Sequence, residues 1–163
     1  STRSWATLWL TATTLAARCA RVTRDMMRYI RHQSRLDPRL RELAILQVGF
    51  CTRAAYEYAH HIEQARLAGA TDEDIAAIAR ETAGEATHLD PLARATLRAA
   101  RELTEKVALS DATYAELRTG LDDACLVELV TAIAFYNATV RVLAGLAIEL
   151  EPEYRALLAR FPL

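Results

Sequence analysis

The stretch RELAILQVGFCTRAAYEYAHHIEQARLAG, residues 41 to 69, holds the residues on which the fold and the chemistry of this chain turn. Its first half is an apolar, helix-like run with one acid, Glu42; its second half sets Glu57, His60 and His61 close together. On a helix of about 3.6 residues per turn, Glu57 and His61 share a face, whereas His60 points roughly 100° away from His61. A carboxylate beside an imidazole fixes its tautomer and raises its proton affinity above the usual pKa of about 6.5. Such a pair can move a proton to or from a substrate carbon or oxygen. The same spacing also makes a plain ion pair on a solvated helix, and Glu42 lies beside Arg39 and Arg41, so an exposed position suits it equally.

On either side of this stretch, local punctuation predicts an all-α fold. Asp37 and Pro38 are an N-cap and a first helical residue, and Gly69 is a C-terminal stop for a helix from about Arg53 to Ala68. Gly49 and the adjoining FCTR are expected to break or bend the helix before it. Thr71 with Asp74 reads as a capping box for a helix ending near Gly84. Asp90–Pro91 opens another helix, and Ser110–Asp111 caps a short one ending at Gly120. The last, DDACLVELVTAIAFYNATVRVLAGLAIEL, is expected to run until Pro152 stops it. It is apolar on nearly every side, which predicts burial beyond its own subunit and hence a homo-oligomer. No strand or hairpin signal is present.

Toward the N-terminus, WATLWLTATTLAA faintly resembles a signal peptide but is too short to span a bilayer, and Arg18, Arg21 and Arg24 interrupt its continuation. With Met26, Met27 and Ile30 continuing its spacing, we expect a core helix from about Ser4 to Gln33, an initiator Met removed before Ser1, and no membrane segment. At 163 residues, 52% apolar and 25% charged, the chain suits one domain, residues 1–163. A net charge of −1 with scattered arginines gives no reason to expect nucleic-acid or membrane partners. Cys19, Cys51 and Cys125 make neither a disulfide framework nor a zinc motif, and free thiols suggest a reducing cytoplasm. Glu57–His60 has the ExxH spacing of di-iron helices, and Glu85–His88 repeats it in a loop-like context.

Residues 36–78, LDPRLRELAILQVGFCTRAAYEYAHHIEQARLAGATDEDIAAI, resemble the carboxymuconolactone decarboxylase family, which shares its fold with alkylhydroperoxidase D (AhpD)-type proteins. Residues 126–152 resemble the closing helix of one branch. The resemblance implies an AhpD-like helical bundle that assembles as a dimer, trimer or hexamer, with the site near a subunit boundary. It also implies a sorting between two chemistries. The peroxidase branch carries a CxxC, a His four residues after the second Cys, and an upstream Glu. His61 and Glu42 match that His and Glu, but the thiol positions fall on Ala54 and Glu57. The decarboxylase branch resembles the chain at Glu57 and His61.

The expected function is therefore a cytoplasmic, cofactor-independent acid/base enzyme, a decarboxylase, lyase or isomerase acting on a small organic acid or lactone. His61 is expected to transfer the proton, assisted by Glu57 and Glu42, with Tyr56, His60, Tyr136 and Asn137 binding substrate. No metal is assigned in this reading. Two alternatives stay open: a metal-dependent enzyme using Glu42, Glu57 and His60 or His61, and a non-catalytic helical oligomer that binds a small ligand.

Overall fold

The computed structural model describes residues 14 to 163, with side chains from residue 17 onward. Most of the apolar segment at 5–17, including both tryptophans, lies outside the described residues. The elements are α1 (Thr14–His32), α2 (Pro38–Cys51), α3 (Ala55–Leu67), α4 (Asp72–Thr82), α5 (Pro91–Glu105), α6 (Asp111–Arg118), α7 (Asp123–Gly145), a 3₁₀ turn (Pro152–Tyr154) and α8 (Arg155–Arg160). There is no strand among the described residues.

The caps form as their sequence signals predict. Asp37 accepts from the Leu40 N–H, Asp90 from Ala93, and Ser110 from Thr113, while Thr71 and Asp74 close a reciprocal capping box. Each satisfies a backbone donor that the first helical turn leaves unpaired. Gly69 and Gly84 take positive φ after α3 and α4.

Helix α2 is the axis of the bundle. It packs against α5, α3, α7 and α4, and every residue from Leu40 to Gly49 is buried. A helix enclosed on all sides must pair whatever polar groups it carries, because an unpaired buried group costs about 1–3 kcal/mol. Gln47 does so with Thr82, Arg101 and Cys51. Arg41 and Glu42 do so within the candidate site.

Gly49 itself does not break α2, which ends at Cys51, within the FCTR expected to break it. Its role is close approach: a Cβ there would lie 3.1 Å from Tyr58 Cβ and 3.2 Å from Tyr58 Cα. The turn comes later, at Arg53, with φ of 52°. This approach sets α3 against α2 and so fixes the distance between their polar residues.

Helix α7 ends at Gly145, short of Pro152, and Ala147 adopts a φ of 51° as the chain turns. Pro152 opens the 3₁₀ turn, and α8 packs back on α3. By length and composition α7 would suffice to cross a membrane. It is nevertheless packed against α2, α5 and α6, with Leu129, Ile133 and Tyr136 fully buried, as in a core helix. Val127 and Val142 on its other side are exposed.

Helix α1 reaches the bundle largely through polar contacts. Glu128 of α7 accepts from Tyr29 Oη, Ser34 Oγ and the backbone N–H groups of Arg35 and Leu36. Ile30 is buried and Met27 half-buried, but Met26 is exposed, so the expected core helix is only marginally a core element over its described part.

Candidate functional site

His61 of α3 is fully buried and held by a carboxylate at each ring nitrogen. Nδ1 lies 2.6 Å from Glu42 Oε2, and Nε2 lies 3.0 Å from Glu57 Oε1. The α2–α3 approach therefore does turn Glu42 toward Glu57 and His61. Glu42 also accepts from Arg41 Nε at 3.1 Å. Tyr136 of α7 meets the imidazole edge-on, with ring centroids 4.9 Å apart.

Arg31 of α1 completes the group and is a residue that sequence reasoning misses. Its Nε donates to Tyr136 Oη at 3.1 Å, and its Nη2 lies 3.3 Å from His61 Nε2. Its signal is weak but present: Arg31 follows Met27 and Ile30 at helical spacing, which puts it on the inward face of an arginine-rich helix.

Burial opposes charge on His61, but hydrogen bonds and attraction from Glu42 and Glu57 outweigh it and raise the pKa. Burial likewise works against the Glu42 carboxylate, yet His61 and Arg41 hold its pKa below the usual range. Tyr136 is pushed up to about 12, chiefly by burial, and so stays a neutral phenol. Glu42 thus keeps a proton on Nδ1, and Nε2 is the nitrogen whose proton can come and go. When protonated, Nε2 donates to Glu57; when bare, it accepts from Arg31.

Two clefts flank this group. One, of ≈ 200 Å³, is lined by Met27, Arg31, Tyr56, Glu57, His60, Thr139 and Leu143. The other, of ≈ 340 Å³, is walled by Arg31, His32, Arg41 and Glu42 together with Pro38, Gln64, Leu67 and Ala68. His61 lines neither. The carboxylate facing the smaller cleft is Glu57, with His61 behind it.

Tyr56 and His60 stand on the wall of the smaller cleft. The His60 ring is stacked between Tyr56 and Tyr154, at 4.4 and 4.0 Å, and its Nε2 lies 3.0 Å from Glu151 Oε2. The segment after α7, which carries no sequence motif, thereby buttresses this wall. Asn137 is not brought to the site. One position round α7 from Tyr136, it donates to Thr104 Oγ1 at 2.9 Å and accepts from Arg141 Nη1 at 2.8 Å.

The two ExxH units do not meet. His88 pairs with Asp74 and Glu73, and Glu85 with Arg80. Among the described residues, no three His, Cys, Asp or Glu side chains are grouped to hold a metal ion. Cys51 lines neither cleft; burial raises its thiol pKa, and Gln47 donates to its sulfur.

Two solved structures share the fold. An uncharacterized peroxidase-related protein from Silicibacter sp. TM1040 is 20% identical with a TM-score of 0.72, over 85% of this chain and 73% of that one. A protein of unknown function from Agrobacterium tumefaciens, carrying the proposed name of antioxidant defence protein AhpD, is 19% identical with a TM-score of 0.70, over 85% of this chain and 97% of its own. At these identities the likeness concerns the AhpD-like fold. No curated protein matches this chain. The family model of the carboxymuconolactone decarboxylases matches residues 15–102, a span that runs from α1 through α5 and holds Arg31, Glu42, Glu57 and His61, and the chain belongs to that family.

Proposed function

We propose that this protein is an acid/base enzyme of the lyase or isomerase type, acting on a small organic acid or lactone without a cofactor. The observation that supports it best is a carboxylate on the cleft wall, Glu57, backed by a histidine whose far nitrogen is fixed by a second carboxylate. The cleft is smaller than the roughly 300–1,000 Å³ of drug-sized ligand sites, which suits a small substrate.

In a decarboxylation, the bond to the carboxylate carbon breaks, CO₂ departs, and the electron pair passes onto a neighbouring carbonyl oxygen as an enolate. Glu57 then delivers to the enolate carbon a proton drawn from His61 Nε2, and water restores that proton to the site. Glu42 keeps the ring oriented throughout. In an isomerisation, Glu57 takes a proton from one carbon and returns it to another. Tyr56 and His60 shape the cleft wall, and Tyr136 orients His61 and Arg31.

The names borne by the two structural relatives point to peroxidase chemistry. The site supports that less well, since Ala54 and Glu57 occupy the thiol positions of the peroxidase branch and no cysteine lines either cleft.

The test is solvent-deuterium incorporation, read by proton NMR, over a panel of β-keto acids and unsaturated lactones. Wild type is expected to convert or label at least one compound at carbon. Glu57→Gln should abolish this and His61→Gln reduce it at least a hundredfold, within the ~10²–10⁴-fold worth of positioned acid/base groups. Turnover unchanged in both variants would overturn the proposal, as would no labelling of any compound by wild type.

A further inference from the structure

Among the half-buried and buried arginines of the bundle, Arg39 bonds Asp74 and Asp90, Arg41 bonds Glu42, Arg66 bonds Asp72 and Arg98 bonds Glu116, while Arg101 donates to the Gln47 amide oxygen and lines neither cleft. Arg31 differs. Its described partners are a neutral phenol and an imidazole nitrogen, and no carboxylate among the described residues lies within ion-pair distance of it. Nη1 makes no hydrogen bond there either, so its two protons are uncommitted, and when His61 Nε2 is protonated those on Nη2 are uncommitted as well. The side chain nevertheless forms part of the wall of both clefts.

The charges of the site agree with an incoming anion. With His61 protonated, Arg31, Arg41 and His61 carry three positive charges against two negative ones on Glu42 and Glu57. One positive charge is left among these five groups, and Arg31, which Glu42 and Glu57 attract only from beyond ion-pair distance, is the arginine of the site with no direct carboxylate partner. A half-buried guanidinium in that condition gains most from a ligand that supplies two acceptor oxygens, since carboxylates bind the guanidinium fork through parallel charge-assisted bonds.

We infer that Arg31 is the substrate-anchoring residue, gripping a carboxylate of the ligand while the rest of the molecule lies along Met27, Thr139 and Leu143 toward Glu57. This rests on the acid/base reading and narrows its substrate class to carboxylate-bearing compounds. It also says which carboxylate is held. A group lost as CO₂ gives up its charge in the transition state, so gripping it would favour the ground state. Arg31 therefore holds an anionic group that survives the reaction.

The position of Arg31 is itself controlled. Glu128 pins the end of α1 and the turn after it through four hydrogen bonds, the contact by which α1 is oriented over the site.

The experiment measures binding, not turnover. The probe is 4-oxopentanoate, with its neutral primary amide as the comparison, titrated into the full-length protein and followed by NMR shift changes of the Met27 methyl and Thr139. Wild type is expected to bind the carboxylate roughly ten- to a hundredfold more tightly than the amide, the worth of a charge-assisted pair. Arg31→Gln should remove that preference and leave amide binding in place, Arg31→Lys should restore part of it, and Arg24→Gln on the exposed face of α1 should change nothing. Equal binding of the two probes by wild type overturns the inference, as does a preference retained in Arg31→Gln or no binding of the carboxylate. Should Arg31→Gln fail to fold, the wild-type comparison still decides. A carboxylate preference without labelling of any compound in the deuterium assay would instead defeat the catalytic reading and leave the anchor standing.

Discussion

Replacing His61 by Gln should flatten one part of the stability–pH curve. The folded-state pKa of His61 lies above its unfolded value of about 6.5, because Glu42 and Glu57 outweigh the cost of burial. Below pH ~6.5 both states hold the proton, and the ion-paired site contributes its full share. Between there and the folded pKa, only the folded chain keeps the proton, so stability falls as pH rises by about 1.4 kcal/mol per unit. The loss accumulates from about pH 6.5 up to the folded pKa. Glu42 acts oppositely: its lowered pKa gives stability that is present above its unfolded pKa and is lost as pH falls through the folded one. Urea unfolding at fixed chain concentration, from pH 5.5 to 8.0, measures the curve for wild type and His61→Gln. The difference between the two should shrink steadily above pH 6.5. A constant difference across that range would refute the argument, and a His61 Cε1–H titration at or below the unfolded value in wild type would refute it directly.

Two further predictions concern the scaffold. Gly49→Ala should cost about 1–3 kcal/mol, because its methyl meets the backbone and Cβ of Tyr58, and should lengthen the Glu42–His61 contact; a chemical unfolding curve checks the first and the His61 titration the second. Glu128→Ala should lower stability by about 1–2 kcal/mol through loss of its four accepted bonds and should weaken carboxylate binding without altering Arg31, measured by unfolding and by the probe titration.

The features legible in the sequence are mostly those that depend on residues within a few positions. Asp37–Pro38, Thr71 with Asp74, Asp90–Pro91 and the stops at Gly69 and Gly84 act on the turn beside them, and each element begins or ends there. The Glu57–His61 pair is legible for the same reason. Glu42 meets His61 across nineteen positions, and Arg31 meets it across thirty. Those contacts depend on how closely α2 and α3 pack and on what fastens α1. Gly49 shows the gap best: locally it reads as a helix breaker, whereas here it serves the contact with Tyr58. Asn137 misleads in the opposite way, since a polar residue in an apolar run suggests a site while Thr104 and Arg141 satisfy it elsewhere. The early end of α7 is hidden because Pro152 is a louder signal than Gly145.

The ionic core can itself be asked whether it serves the fold. Glu42, Glu57 and His61 are withdrawn from water on the facing sides of two packed helices, and each loses hydration that the others only partly replace. Breaking such a network by removing one member strands the rest and costs about 3–5 kcal/mol, so single substitutions make any buried network look structural. Replacing all its members by apolar groups of similar volume is the fairer test, and such exchanges are commonly neutral or stabilising by about 1–4 kcal/mol. Glu42→Met, Glu57→Leu and His61→Leu, combined with replacement of the arginine that Glu42 pairs, should therefore fold with stability equal to wild type or greater, while each single substitution is destabilised. Arg41 then loses its carboxylate, and it is only slightly exposed, so Arg41→Met belongs in the same variant. Unfolding measured for the singles and the quadruple decides the matter. A quadruple variant several kcal/mol less stable than wild type would mean that the network holds α2 to α3, and the case for its having a chemical task would lose its energetic support.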